Sequence, residues 1–253
     1  MLENRVKAKL ATGGAVYGCF IRYREPTFAE FIAMQGWDFI IFDGEHGTLG
    51  PREMETLCPL VELRGVTPMA RVATNQPHVI LRVLDTGVHG IHVPWVNTAA
   101  GVEEAVQSTK YWPRGQRGLA GSRASEWGMS ESLGDYTQRA NRETMLIVHI
   151  ETIDAVDAID DYVAIDGVDV LFIGPTDLSH SLGHPGDPAH PEVVDAMERV
   201  AAAVVGSGKT LGIFAGTPEF AARWYERGAR YFATTPDGFL KKGMQDYLEQ
   251  VRS

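Results

Sequence analysis

Short apolar runs punctuate the chain, and between them apolar residues recur at spacings of three and four. The runs at Val16–Ile21, Asp38–Phe42, Thr67–Val72, Gly90–Pro94, Met145–Ile150, Asp169–Ile173, Thr210–Phe214 and Tyr231–Thr234 read as strands. They are near-continuous rather than alternating, as expected of strands covered on both faces. The segments "TFAEFIAMQG", "PREMETLCPLVEL", "HVILRVLDTG" and "PEFAARWYERG" carry the helical period, and several close on Gly, a helix-stop signal. Strands alternating with helices in this number predict an α/β fold, a (β/α)₈ TIM barrel built as a single domain over residues 1–253. The alternative is a doubly wound open sheet. No Gly-x-Gly-x-x-Gly turn follows the first strand, which weakens a dinucleotide-binding version of it.

Two segments stand outside the plain alternation. From Val96 to Met145 the helical stretch "AAGVEEAVQSTKYW" is followed by "PRGQRGLAGSRASEWGMSESLGDY", rich in Gly, Arg and Ser. A connection of that length is more often functional than idle, as a lid or a subunit contact. The last helical segment, Gly238 to Val251, carries Phe239, Leu240, Met244, Tyr247, Leu248 and Val251. That pattern serves equally to close the barrel or to dock on a neighbouring subunit.

Composition narrows the function. With 253 residues, 44% of them hydrophobic, there is material for a sizeable core. A formal charge of −10 without a Lys/Arg cluster argues against a nucleic-acid partner, because phosphate binding needs a basic stripe. Cys19 and Cys58 offer neither a disulfide framework nor metal-ligand spacing and read as buried reduced thiols. No run approaches the ~18 apolar residues of a spanning helix, and "MLENRVKAKLATGG" lacks an apolar signal core, so no membrane and a cytoplasmic location are expected.

In a barrel of this type chemistry sits where strands end. The second strand runs through "FIIFDGEHGTLG" into Asp43, Glu45 and His46; the third ends in Arg71, the fifth in Glu151, and "GPTDLS" with Asp177 follows the sixth. Glu151 and Asp177 suit a hard divalent cation, Mg²⁺ or Mn²⁺ first, with Co²⁺ or Zn²⁺ also compatible; each acid alone reads as well as a helix cap or an arginine partner. Gly174 permits close backbone approach, and the amides of Thr176 and Asp177 are placed to meet a carboxylate, unless the segment is only a strand–helix turn. His46 pairs with Asp43 as a base whose partner orients it, with Gly44 allowing the turn. Arg71 needs an anion, which is the substrate, Asp43 or Glu45. His149 shares a strand face with Glu151 about 6–7 Å deeper in the barrel, a place for hydrogen bonding to that acid rather than ligation. His92 and His184 show no constellation around them. No lysine falls at a strand end, which disfavours imine chemistry and leaves metal-assisted enolisation.

The segments "DFIIFDGEHG", "PMARV", "LRVLDTGVHGIHVPWVNTAAGVEEAVQSTKYWPRGQRG", "VHIET" and "VDVLFIGPTDLSHSLGHPG" resemble the HpcH/HpaI aldolases, over nearly the whole chain. The resemblance implies a class II pyruvate aldolase in a (β/α)₈ barrel, a homohexamer (a trimer of dimers) with its last helix swapped between subunits. It implies a divalent metal on Glu151 and Asp177, acid–base chemistry at His46 with Asp43, and Arg71 on the pyruvyl oxygens. The amides of Thr176 and Asp177 would take the carboxylate. Asp85 would help organise the His46 region from a neighbouring subunit, and Arg123 would reach in from a neighbour. The substrates implied are pyruvate plus an aldehyde. A departure is His149, where the family usually carries Gln; another is "ATTPDG" after the last strand, where a Gly before or near the Asp is more common. An oxaloacetate decarboxylase, a lyase acting on a CoA thioester and a non-catalytic sugar-acid binder are the alternatives.

Overall fold

A computed structural model describes residues 3–252. Among them eight parallel strands close in sequence order into a barrel: β1 Val16–Ile21, β2 Phe39–Asp43, β3 Thr67–Arg71, β4 Gly90–Val93, β5 Met145–Ile150, β6 Val170–Ile173, β7 Thr210–Phe214 and β8 Ala229–Thr234. The helices, in chain order, are α1 Arg5–Ala11, α2 Pro26–Ala33, α3 Pro51–Leu63, α4 Pro77–Leu84, α5 Ala99–Thr109, α6 Leu133–Glu143, α7 Ile153–Asp157, α8 Ile159–Ala164, α9 Pro175–Ser181, α10 Pro191–Gly206, α11 Pro218–Glu226 and α12 Pro236–Arg252. The fold is a (β/α)₈ TIM barrel, as the alternation predicts.

Local chemistry sets the helix ends. Pro51, Pro77, Pro191 and Pro218 open helices at the position where a missing N–H costs nothing. Thr98, Ser132 and Thr152 cap others by accepting a backbone N–H, and Thr217 does the same for the helix that Pro218 opens. Past α4 and α11 the chain turns through Gly87 and Gly228 in the left-handed region, φ 96° and 93°.

Each strand splits its side chains between two cores. Outward residues such as Ile40, Phe42, Val148, Leu171 and Ile213 meet the helix layer, whereas Phe20, Phe39, Met69, Ile147, Phe172 and Tyr231 fill the barrel. Gly18 makes room inside: a Cβ there would stand 2.3 Å from the Phe39 ring. Helix α1 closes the end where the strands begin, with Val6 and Leu10 joining the interior core and Asn4 bonding the carbonyls of His89 and Glu143. The opposite end is left to function.

Several predicted boundaries shift. β2 includes Asp43 and begins after Asp38, whose carboxylate instead bonds the Tyr17 N–H and Lys9. The connection between β4 and β5 contains a second helix, α6, and a 3₁₀ turn at Arg123–Gly128. It is no lid on its own barrel. Buried Lys110 anchors it to the carbonyl of Thr144, ahead of β5, and Arg117 and Arg123 tie it to Asp85 and Glu62 near the ends of α4 and α3. Those groups lie at the end where strands begin.

Helix α12 does not close its own barrel. Phe239, Met244, Tyr247, Leu248 and Val251 are exposed, while Pro236 is its buried residue. Beside its start an apolar hollow of ≈ 500 Å³ lies outside the barrel wall, lined by residues including Tyr17, Trp37, Tyr225, Phe232 and Phe239. Cys19 and Cys58 are buried and free, and burial pushes both thiols up, Cys19 to about 12. No helix among the described residues is long and apolar enough to cross a membrane.

Candidate active site

A cavity of ≈ 300 Å³ opens at the C-terminal ends of the strands. Asp43, His46, Arg71, His149, Glu151, Gly174, Thr176 and Asp177, all predicted for the site, line it. They come from the ends of β2, β3, β5 and β6 and the segments that follow.

The register of β2 on β3 puts Asp43 directly beside Arg71. The guanidinium donates Nε–H to Asp43 Oδ1 at 2.9 Å and Nη2–H to Oδ2 at 2.6 Å, a bidentate fork buried from solvent. Its Nη1 stands 2.9 Å from Glu45 Oε2 as an ion pair, without hydrogen-bonding alignment. Both acids offered for Arg71 are therefore its partners. Burial raises the Asp43 carboxyl, but the hydrogen bonds and charge of Arg71 outweigh it, helped by the amides of His46 and Glu45, and hold it below its ordinary value. Burial, with Glu151 nearby, instead raises Glu45 despite Arg71.

The expected ring pairing of Asp43 with His46 takes another form. Asp43 Oδ1 accepts the backbone N–H groups of Glu45 and His46, at 3.1 and 3.2 Å. Its carboxylate is committed to Arg71 and to shaping the turn, while the His46 ring stands exposed at the rim. Gly44 is required by close approach: a Cβ would meet the Arg71 carbonyl at 2.8 Å.

Glu151 is gripped on both oxygens. His149 Nδ1 lies 2.7 Å from Oε1, and the Trp95 backbone N–H donates to Oε2 at 3.0 Å. Trp95 holds that amide in place from a left-handed conformation, φ 55°. Burial raises the Glu151 carboxyl, yet the hydrogen bonds of His149 and the Trp95 amide, with the charge of Arg71, bring it below its ordinary value. His149 thus bonds the acid from deeper in the barrel, as its strand face predicts. Gly174 leaves room for the carboxylate, since a Cβ would fall 2.8 Å from Glu151 Cγ and 3.0 Å from Oε1.

Asp177 contrasts with its neighbours. It is half-buried and lines the same cavity, and no hydrogen bond or ion pair to its carboxylate occurs among the described residues. Burial raises it first, and the negative charge of Glu151 adds to that. Two acids that repel across a cavity, one unpartnered, form the oxygen donor set a hard divalent cation takes. The residues therefore fit such an ion. The amides of Thr176 and Asp177 stand in the first turn of α9, among the donors a helix leaves without internal partners.

Asp85 and Arg123 are not brought here within their own chain. Asp85 ends α4 and pairs with Arg117 at 2.8 Å; Arg123 bonds Glu62, the Thr86 carbonyl and Cys58 Sγ. Both stand at the far end of the barrel.

Two histidines read as solitary prove to have partners. His92 is fully buried, with Nδ1 2.9 Å from His149 Nε2 and Nε2 2.8 Å from the Tyr231 hydroxyl. Burial, with the charge of Arg71 adding to it, lowers its pKa well below the ordinary value. His184 stacks on His190, ring centroids 3.4 Å apart at 16°, and lies 2.7 Å from Glu192. These three are close enough to hold a metal. Stacked rings, however, point their nitrogen lone pairs side by side rather than at one ion, and His190 Nδ1 already accepts the Glu192 N–H at the start of α10. The cluster caps a helix.

The chain is 37% identical over 257 residues to a protein named 5-keto-4-deoxy-D-glucarate aldolase from Shigella boydii, covering 100% of this chain and 98% of the other. A crystal structure of an HpcH/HpaI aldolase/citrate lyase family protein from Burkholderia cenocepacia superposes with a TM-score of 0.93 at 34% identity, covering 99% of this chain and all of the other. A structure named citrate synthase SbnG gives a TM-score of 0.89 at 30% identity, covering 98% and 97%. The sequence model of the HpcH/HpaI aldolase/citrate lyase family matches residues 16–241. The chain belongs to the HpcH/HpaI aldolase/citrate lyase family and is an enzyme of the carbon–carbon lyase class.

Proposed function

We propose that this enzyme is a divalent-metal-dependent aldolase that cleaves a 4-hydroxy-2-oxo acid into pyruvate and an aldehyde, and runs the reverse addition. The observation that carries the reading is the pair Glu151 and Asp177 facing one cavity, the first fixed on both oxygens and the second unpartnered and raised by burial and by its neighbour. The oxygen donors favour Mg²⁺ or Mn²⁺, with Co²⁺ and Zn²⁺ as further occupants. A dication held there supplies Lewis-acid charge at the substrate's keto oxygen.

The chain's own groups account for the rest. Arg71, locked by Asp43 and Glu45, presents a fixed positive charge where negative charge develops on the pyruvyl oxygens. The amides of Thr176 and Asp177 orient the substrate carboxylate. His46 at the rim takes the proton of the 4-hydroxyl. The C3–C4 bond then breaks, the aldehyde leaves, and the electron pair passes to the pyruvyl fragment, whose C3 takes up a proton to give the methyl group of pyruvate. No lysine lines the cavity, so an imine plays no part.

The relative's name points to a sugar-derived diacid. Cleavage of 5-keto-4-deoxy-D-glucarate in this sense gives pyruvate and tartronate semialdehyde. Succinic semialdehyde and lactaldehyde are the other aldehydes to compare. The exposed apolar face of α12 and the hollow beside its start support exchange of that helix between subunits of a hexamer. In such an assembly a neighbour's Asp85 and Arg123 complete the rim.

Pyruvate release from 5-keto-4-deoxy-D-glucarate and from oxaloacetate, at equal concentration and saturating Mg²⁺ or Mn²⁺, tests the reading. Faster cleavage of the hydroxy-oxo acid is expected. Turnover of oxaloacetate alone would assign a decarboxylase. The likeness to a citrate synthase keeps one second reading, condensation of a thioester with an oxo acid, which predicts release of free CoA when acetyl-CoA is added to the oxaloacetate assay.

A further inference from the structure

The barrel interior holds an unbroken line of polar contacts: Tyr231 hydroxyl to His92 Nε2 at 2.8 Å, His92 Nδ1 to His149 Nε2 at 2.9 Å, and His149 Nδ1 to Glu151 Oε1 at 2.7 Å. It crosses from β8 through β4 to β5 and ends on the acid assigned to the metal. All four residues are buried.

The direction of each hydrogen bond follows from its ends. Tyr231 is fully buried, and His92 is its hydroxyl's one partner among the described residues. A buried phenol that only accepted would leave its O–H unmet, at a cost of about 1–3 kcal/mol. Tyr231 therefore donates, and His92 Nε2 carries the lone pair. Neutral His92 then bears its proton on Nδ1 and donates to His149 Nε2. That leaves His149 protonated on Nδ1, where it donates to Glu151. The other end is consistent with this, because an ionised carboxylate can only accept and so takes its hydrogen bond from His149 Nδ1.

We propose that Tyr231, His92 and His149 form a one-way hydrogen-bond relay, each imidazole accepting at Nε2 and donating from Nδ1, that fixes the orientation of Glu151. Tyr231 and His92 are positioning residues that act on the carboxylate through His149. The surrounding rings lock the relay: Phe20 and Phe172 meet His92 edge-on at 5.6 and 5.5 Å, and Phe172 lies 4.9 Å from His149. With His149 on Oε1 and the Trp95 amide on Oε2, the carboxylate plane is set before any ligand arrives. The value of the relay to catalysis rests on Glu151 being a ligand, as proposed above.

The test has two arms. In ¹⁵N-histidine-labelled, metal-free protein, His92 and His149 should each show a protonated Nδ1 and a lone-pair Nε2, the minor tautomer in water. An Nε2–H on His92 or on His149 overturns the relay, and this arm does not depend on any metal. In the second arm Mn²⁺ affinity is measured by calorimetry. Glu151→Gln should abolish tight binding. Tyr231→Phe, which removes one oxygen and keeps the ring, should weaken it toward the lower end of the ~10–100-fold range of outer-shell changes. His149→Leu should weaken it further. His149→Gln, whose amide can donate to Glu151 and accept from His92, should restore most of it. Loss in Glu151→Gln with full affinity in both Tyr231→Phe and His149→Leu overturns the relay. Unchanged affinity in Glu151→Gln overturns the ligand assignment instead.

Discussion

Arg71 and Asp43 are register partners on adjacent strands, joined by a two-bond fork that solvent does not reach. The pair sets the floor of the site. It fixes a cationic group that lines the cavity from a strand end, and it uses the remaining capacity of Asp43 to hold the turn that carries His46.

Removing the guanidinium should cost both stability and activity. Arg71→Met leaves Asp43 and Glu45 buried without a counter-charge, a loss of about 3–5 kcal/mol. Urea unfolding checks the first effect and pyruvate release the second. Arg71→Lys keeps the charge but not the fork, so it should recover part of the stability and little of the rate.

The same pair gives a pH signature. The Asp43 carboxyl is held below its ordinary value of 3.8. A group lowered on folding stabilises the fold fully above its unfolded pKa and loses that contribution as pH falls through the folded one. The stability advantage of the wild type over Asp43→Asn should therefore be constant above about pH 5 and shrink as acid is added below about pH 4. Denaturation midpoints measured from pH 6 to pH 2.5 report it. An advantage that persists unchanged into acid contradicts the assignment.

Gly174 should be intolerant of a single methyl group. A Cβ there meets Glu151 Cγ at 2.8 Å, against a carboxylate already fixed by His149 and Trp95. Gly174→Ala should keep the far-ultraviolet dichroism of the barrel, lower Mn²⁺ affinity at least tenfold and cut turnover in proportion. Equal affinity in the two proteins would mean that Glu151 has room to move.

Charges on the open face of α12 should break the assembly. Met244 and Leu248 lie one helical turn apart and are 62% and 41% exposed in the single chain. The double variant Met244→Glu/Leu248→Glu should shift the mass measured by light scattering from a hexamer to smaller species, with the barrel intact. A wild-type protein that is already monomeric removes the swapped-helix proposal.

Much of the architecture was legible because strands buried on both faces must be apolar throughout, so their ends show wherever a charge appears. Asp43, Arg71 and Glu151 were found in that way, and Asp177 through the turn that follows β6. What escaped depends on contacts between distant strands. Nothing near Asp43 says that Arg71 will claim it and leave His46 only a backbone bond. His92 sits in "GIHVP" like any core residue, and its partners lie 57 and 139 residues away. The Trp95 amide is silent because a backbone donor leaves no mark on residue identity. The apolar stripe of α12 was visible, but its exposure emerges only once the barrel is seen to close without it.

In the proposed chemistry Glu151 and Asp177 together hold the dication on which pyruvate activation depends. Exchange of the pyruvate methyl protons in D₂O, followed by proton NMR without any aldehyde, tests it most directly. Rapid exchange is expected with Mg²⁺ or Mn²⁺, and none after chelation with EDTA, in Asp177→Asn or in Glu151→Gln. Exchange that continues at the wild-type rate in chelated protein would contradict it.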